Sequence, residues 1–459
     1  MKQAVIGAGS GLVAGLAALA LLFGGPLSLG DSSPSEEPVA IATETEVASP
    51  AETTEPATSS PATESEVIQC SITELENQDG ILELQAQVLN ADTGEVLFDR
   101  GSDVAARPAS VLKLFTAAAA LETLGPDYRV VTRVYQDAID PSIIYLVGAG
   151  DVTLSRTGVN QESVYKGAPK LSTLARQIST RLGAQTFSQI VLDSTTYGKP
   201  QGEYQSVWDQ RGLTDGYMSY VSALQVDGDR DNPSSKDSPR SKDPVQRAGQ
   251  WFKESLGNAA SSSQLVKGVV PADAIEIAKV ESAPISTWID YMLVVSDNTL
   301  AEALGRLVSL DVGLNGSFES LTDAYKRALR GTGIDLSGIK IEDASGLSRY
   351  NQIKPAQVNQ LLQLIAEGYE DFEFILDGMP VSGTPGSLSY RFEDAVGFVT
   401  AKTGWIRTGY TLAGFLENPS EGNLIFTVYN LGDVTTDNRE AMDDLVMGFY
   451  DCGQNLVNR

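Results

Sequence analysis

Apolar and polar residues alternate over 82–89, LELQAQVL, with the two-residue period of a strand buried on one face. The turn residues Asn90, Ala91, Asp92, Thr93 and Gly94 lead from it into a second strand at 95–98. Pro108 opens a helical pattern whose apolar positions include Val111, Leu112, Phe115, Ala119 and Leu124, and Gly125-Pro126 stops it. Pro284 opens a second helix that runs to Val295. Toward the carboxyl end, 398–406, 410–416 and 424–430 read as three consecutive strands, followed by a final helix over roughly 438–456. Strands, helices, strands and a helix in that order predict an α+β fold, an antiparallel sheet flanked by helices. The middle of the chain interrupts the order with strand-like pieces at 142–147 and 189–192 and a polar loop at 227–243. The expected organisation is therefore one domain built from 68–131 and 286–459, with a mainly-β domain inserted at 132–285.

The first 30 residues follow a different pattern. Lys2 precedes an uncharged stretch rich in Ala, Leu, Gly and Val, long enough to span a bilayer. Two readings stand, an uncleaved signal anchor or a cleaved signal peptide, and both export the chain. Residues 31–67 are rich in Ser, Thr, Pro and acid and contain no base. Such a segment cannot bury enough apolar surface to offset its ordering entropy, so it reads as a disordered linker.

Charge and composition narrow the chemistry. A net charge of −27 over 459 residues argues against nucleic acid as a partner, because like charges repel. The sequence has no histidine. This removes serine–histidine and cysteine–histidine catalysis and the commonest metal ligand, leaving lysine and carboxylates as bases. Its two cysteines, Cys70 and Cys452, are too few for a thiolate zinc site. Lying near the two ends of the folded part of an exported chain, they fit a disulfide; two unpaired thiols are the alternative.

Three short motifs carry chemistry. In SVLK, Lys113 lies three residues after Ser110 and shares its helix face, so the amine can reach the hydroxyl. A lysine desolvated there could lose its proton and act as a base. Ser296, Asp297 and Asn298 sit between two helical stretches, where a hydroxyl and an amide could relay a proton and hold a carbonyl. Lys402, Thr403 and Gly404 lie in the strand GFVTAKTGWI; the period sets Lys402 and Gly404 on one face and Thr403 on the other, and an extended peptide could pair with that edge. Each motif alone also has a structural reading: a capping serine, a capping tripeptide, an edge cation. Together, and in this order, they are the set shared by penicillin-binding proteins and class A β-lactamases.

The resemblance extends beyond the motifs. RPASVLKLFTAAAALETLGPDYR, YLVGAGDVTLS, VSALQVDGD, SDNTLAEAL, EDASGLSRYN, PVSGTPGSLSYRF and TAKTGWIRTGYTLAGFLE are all similar to segments of one family. This is the D-alanyl-D-alanine carboxypeptidase/endopeptidase family, the class C type 4 penicillin-binding proteins or peptidase family S13, and the likeness covers about residues 70–455. It implies a transpeptidase/β-lactamase-like domain carrying an insertion. It also implies a serine-type hydrolase of peptidoglycan stem peptides, inhibited by β-lactams, without metal or cofactor. Ser110 is then the nucleophile, Lys113 its base and Ser296 the proton relay to the leaving D-alanine. Asn298, Lys402, Thr403 and Gly404 bind substrate, and Arg349 is a candidate for the far end of the stem peptide. The backbone amides of Ser110 and Trp405 would form the oxyanion hole, with Trp405 standing where threonine is usual. A β-lactamase would need a glutamate loop after Ser296, whereas Glu254 and Asn258 precede it. The other alternative is a penicillin-sensing or wall-binding scaffold without turnover. The expected location is extracytoplasmic, in the cell envelope.

Overall fold

The computed structural model describes residues 70–457. The expected membrane segment and linker lie outside the described residues. Among the described residues no helix is long and apolar enough to cross a membrane.

The two ends of the described chain build the main sheet. Strands β1 (Glu83–Asn90) and β2 (Val96–Arg100) form one hairpin. Strands β8 (Val399–Ile406), β9 (Gly409–Leu416) and β10 (Leu424–Leu431) form a meander at the other end. They join in the order β2-β1-β10-β9-β8, with β1 paired to β10 from Glu83 opposite Leu431 to Asn90 opposite Leu424. The sheet is antiparallel throughout, as the hairpin-length connections require, and β8 ends its order.

Helices cover both faces of this sheet. The carboxyl-terminal helix Thr436–Cys452 packs on β9 and β10 through Met442, Leu445, Val446 and Phe449. The helix Pro355–Ala366 lies on the opposite face, over β1 and β10. This second cover changes the reading of β1. Its alternation predicts an exposed polar face, yet Gln85 and Gln87 are buried. The Gln87 amide is taken up internally, whereas the buried Gln85 Oε1 has no hydrogen-bond partner among the described residues. Gln87 Nε2 donates to Asp99 at 2.9 Å and to Ser102 Oγ at 3.1 Å. Asn359 Nδ2 donates to the Gln87 carbonyl at 3.0 Å while its Oδ1 accepts from Thr427 at 2.7 Å. Burial of polar groups is tolerated where each finds a partner.

The helix Leu112–Leu124 runs through the middle of the helical layer and is buried at every position from Leu112 to Leu121. It packs against Asn298–Asp311, Leu321–Ala328 and Ile285–Val295. A helix apolar on all sides belongs in a core rather than at a surface. The four alanines 117–120 give neighbouring helices room to approach it.

The insertion leaves and re-enters the main fold at one point. Its first strand β3 (Val131–Gln136) pairs antiparallel with its last, β7 (Ile275–Glu281), Val131 opposite Glu281. Just outside that pair, Ser282 N donates to the Val130 carbonyl at 2.9 Å. Between them β4 (Ile143–Val147), β5 (Gln189–Asp193) and β6 (Gln264–Lys267) complete a sheet ordered β6-β5-β4-β3-β7. The β4/β5 and β5/β6 pairs are parallel. Parallel neighbours need long crossovers, and the helices Leu171–Leu182 and Pro244–Leu256 supply them. The expected mainly-β character is thus corrected: the insertion is mixed α and β.

Cys70 and Cys452 form a disulfide, with α-carbons 5.4 Å apart and 382 positions between them in the chain. Backbone bonds flank it, Cys70 N to the Asn455 carbonyl at 3.0 Å and Val457 N to the Cys70 carbonyl at 3.1 Å. A cross-link across so long a loop chiefly restricts the unfolded chain, so its reduction is expected to lower stability by about 2–4 kcal/mol. Because the chain has only these two cysteines, a reductant acts on this bond alone. Melting curves with and without reductant that coincide would refute the expectation.

Candidate active site

Ser110 sits in a short 3₁₀ turn, Ala109–Val111, that feeds directly into the central helix. Ala109 holds a positive φ of 45°, unusual for a residue with a β-carbon. Two contacts fix it. Thr411 Oγ1 donates to the Pro108 carbonyl at 2.7 Å, and Gly346 approaches so closely that any β-carbon there would overlap the Ala109 carbonyl. The turn therefore presents Ser110 half-exposed at the end of an otherwise buried helix.

Lys113 is one helical turn further in and has no accessible surface. Its Nζ lies 2.9 Å from Ser110 Oγ, 2.7 Å from Asn298 Oδ1 and 2.6 Å from the Ser345 carbonyl oxygen. Asn298 Oδ1 and a carbonyl oxygen can only accept hydrogen bonds, while a serine hydroxyl can also donate. A neutral amine has two hydrogens and one lone pair. The arrangement spends both hydrogens on Asn298 and Ser345 and leaves the lone pair facing the Ser110 hydroxyl. Burial lowers the Lys113 pKa to about 8, against the opposing pull of Asp343, Glu302 and Asp297.

The second motif is a sharp link between helices. Ser296 adopts the left-handed conformation, φ 60°, as it closes Ile285–Val295. Asp297 then caps the next helix by accepting from Leu300 N at 2.9 Å. Asn298 is the first residue of that helix; its Nδ2 donates to the Tyr217 carbonyl at 2.9 Å, leaving Oδ1 for Lys113.

The third motif lies on β8. Lys402 Nζ donates to Ser296 Oγ at 3.1 Å and to the Thr403 carbonyl at 2.9 Å. Burial first, then the charges of Lys113 and Lys236, hold its pKa well below the ordinary lysine value. The strand alternation behaves as the sequence predicts. A β-carbon on Gly404 would stand 2.9 Å from Ser110 N and overlap Thr411 Oγ1, so that face belongs to the serine turn. Thr403 points the other way, its Oγ1 donating to Ser387 Oγ at 2.8 Å. Glycine at 404 is required by contact, not by backbone angle.

Ser110, Ser296, Asn298, Thr403 and Gly404 line one cleft of about 1030 Å³, with Lys113 and Lys402 buried beneath it. Trp405 and Arg349 also line this cleft. Trp405 is 56% exposed, its ring 6.4 Å from that of Tyr410. Among the described residues the Arg349 guanidinium meets only its neighbour Tyr350, donating to the hydroxyl at 3.1 Å.

The structure adds residues that sequence reasoning did not single out. Glu302, buried one helical turn beyond Asn298, accepts from Ala344 N at 3.1 Å and Ser345 N at 2.9 Å. It thereby carries the segment whose carbonyl holds Lys113. Burial and then the neighbouring Asp343 push its pKa up to about 8. Asp343 accepts from Trp208 Nε1, Ser348 N, Gly346 N and Asn351 Nδ2, all between 2.6 and 2.8 Å. Arg230, from the insertion, pairs with Asp297 at 2.7 Å. The available signal was an acid four residues after Asn298, on the same helix face.

Comparison with known proteins places this arrangement among relatives. The model of the D-Ala-D-Ala carboxypeptidase 3 (S13) family matches residues 71–239 and 231–449. Carboxypeptidase DacB of Mycolicibacterium smegmatis is 33% identical over 377 residues, 81% of each chain. A D-alanyl-D-alanine carboxypeptidase of an Actinomadura species is 27% identical over 416 residues, 75% of this chain and 77% of that one. The crystal structure of penicillin binding protein 4 from Haemophilus influenzae superposes with a TM-score of 0.69 at 21% identity, covering 83% of this chain and 99% of the other, and so shares the fold.

Proposed function

The chain belongs to the D-Ala-D-Ala carboxypeptidase 3 (S13) family of hydrolases, and on that premise we propose that Ser110 and Lys113 carry out its acyl transfer on peptidoglycan stem peptides. The reaction starts with neutral Lys113. Its lone pair takes the Ser110 proton as Oγ bonds to the carbonyl carbon of the penultimate D-alanine. The amides of Ser110 and Trp405 receive the oxyanion. The C–N bond then breaks, and the leaving D-alanine collects a proton through Ser296, which Lys402 holds at 3.1 Å. Water subsequently attacks the acyl ester, regenerating Ser110. Lys402 and Thr403 hold the terminal carboxylate, Asn298 the substrate amide, and Arg349 faces the far end of the stem. Gly404 lets the Ser110 turn sit against β8, so that a substrate backbone paired with this strand lies beside the Ser110 hydroxyl.

The contact pattern of Lys113 carries this reading: two acceptors and one hydroxyl around a fully buried amine. The disulfide supports an extracytoplasmic site of action, since such bonds persist in oxidising compartments. Residues 1–30 then serve as signal or membrane tether. The decisive measurement is release of free D-alanine from a diacyl-tripeptide ending in D-Ala-D-Ala, with and without one equivalent of penicillin. Release that penicillin blocks is expected. Stable penicillin labelling without any D-alanine release would instead favour a sensing or scaffolding role.

A further inference from the structure

Of the four cations that the insertion contributes to the cleft, one has neither an ion pair nor a hydrogen bond among the described residues. The chain is strongly acidic, yet eight residues lining this cleft are Lys or Arg and only four are Asp. Most of these cations already have a carboxylate: Arg211 pairs with Asp209, Arg230 with Asp297 and Arg391 with Asp443. Lys236 has none. Among the described residues its ammonium makes no ion pair or hydrogen bond, and its charge acts on both Lys113 and Lys402.

Its position is built. The loop around it folds as a hairpin closed where Arg230 pairs with Arg240, with Asp231 N donating to the Pro239 carbonyl at 3.0 Å. Two buried guanidiniums hold the Lys236 backbone carbonyl, Arg230 Nε at 3.2 Å and Arg240 Nη2 at 3.5 Å. The same Arg230 is locked to Asp297 beside Ser296 and Asn298. The side chain is thus fixed at its root and free at its tip, in the cleft that contains Ser110 and Thr403. The Lys236 charge reaches both Lys113 and Lys402 and has no carboxylate to offset it, an arrangement that favours an arriving anion.

We infer that Lys236 is a substrate-binding residue whose ammonium receives a carboxylate of the peptide from the insertion side of the cleft. The inference rests on the carboxypeptidase reading above. The carboxylate is either the terminal one of the leaving residue or one on a side chain of the acyl donor, and two substrates tell them apart. Both end in D-Ala-D-Ala; one carries a side-chain carboxylate at the third residue and the other its amide.

In the full-length protein, Lys236→Gln is expected to raise KM by on the order of 10-fold, the scale of one lost charge-assisted contact, with kcat changed less than about twofold. Lys236→Arg should restore most of the loss. A penalty on both substrates identifies the terminal carboxylate, and a penalty confined to the first identifies the side chain. Unchanged KM on both, or a loss that Arg does not restore, would overturn the inference. Because the loop is held through the Lys236 carbonyl, which any residue supplies, melting temperature should not move; a large drop would assign Lys236 to structure instead. Absence of turnover by the unsubstituted protein would strike the carboxypeptidase reading itself, an outcome distinct from a failure at Lys236.

Discussion

Replacing Ser110 by alanine should abolish covalent labelling by penicillin, and replacing Lys113 by alanine should slow it by on the order of 10²-fold or more. The first loss follows from removing the only atom that can form the ester. The second follows from the burial of the amine. With its pKa brought down to about 8, about one Lys113 in ten is neutral at pH 7. A neutral amine 2.9 Å from the hydroxyl has its lone pair directed at the proton to be moved. The acylation rate should therefore climb nearly tenfold per pH unit below about 8 and level above it. Lys113→Arg sharpens the test, since a guanidinium keeps the charge but cannot give up its proton. If the charge alone mattered, Arg would preserve acylation; if the base matters, Arg is as slow as Ala. Near-normal labelling of a folded Lys113→Ala protein, or a pH profile with no rise toward 8, would mean that another group takes the Ser110 proton.

Much of the site was legible because its parts are local. Ser110 and Lys113 lie within one helical turn, and Lys402, Thr403 and Gly404 within one strand, so periodicity alone orients them. What holds those parts is not local. Lys113 finds its other acceptors 185 and 232 positions away, and no pattern within a window of the sequence reports such contacts. Glu302 escaped notice for the same reason, since the backbone amides it accepts from lie 42 and 43 positions away, whereas Asp343 binds amides of its own loop and only its partner Trp208 is remote, 135 positions away. The misreading of β1 has a different origin. Alternating glutamines look like a solvent face until a second helix covers them, its Asn359 hydrogen-bonded to Gln87. In the insertion, strand-like pieces were recognised, but parallel pairing is decided by crossovers, so its helices went uncounted.

Replacing Arg230 by methionine should cost on the order of 3–5 kcal/mol, the largest stability loss expected from any single change near the site. Arg230 and Asp297 have side chains only 1% and 4% exposed. Arg230 also donates to the Tyr165 hydroxyl at 2.7 Å and stacks 4.7 Å from that ring. Without it, Asp297 remains as a buried carboxylate beneath the helix that begins with Asn298. Activity should fall too, because Asn298 and its grip on Lys113 start from that cap.

The pH dependence identifies the cause. In the intact protein, burial tends to raise the Asp297 pKa, but Arg230 and Arg240 outweigh it and hold it below the ordinary value. A carboxyl depressed on folding adds stability above its unfolded pKa, about 3.9, and loses it only as pH falls through the lower folded value. In Arg230→Met the burial effect is no longer outweighed by that partner, the folded pKa rises, and the sign reverses: the native state binds more protons than the unfolded one, so stability declines as pH rises. The deficit relative to the unsubstituted protein should be greatest at neutral pH and shrink toward pH 4. Removing the stranded charge with Asp297→Asn, which still caps Leu300, should recover part of the loss, so the two substitutions are non-additive. Urea titrations across this range test both points. A deficit that is the same at pH 4 and pH 7, together with additive effects, would mean that Arg230 acts by filling space rather than by neutralising Asp297.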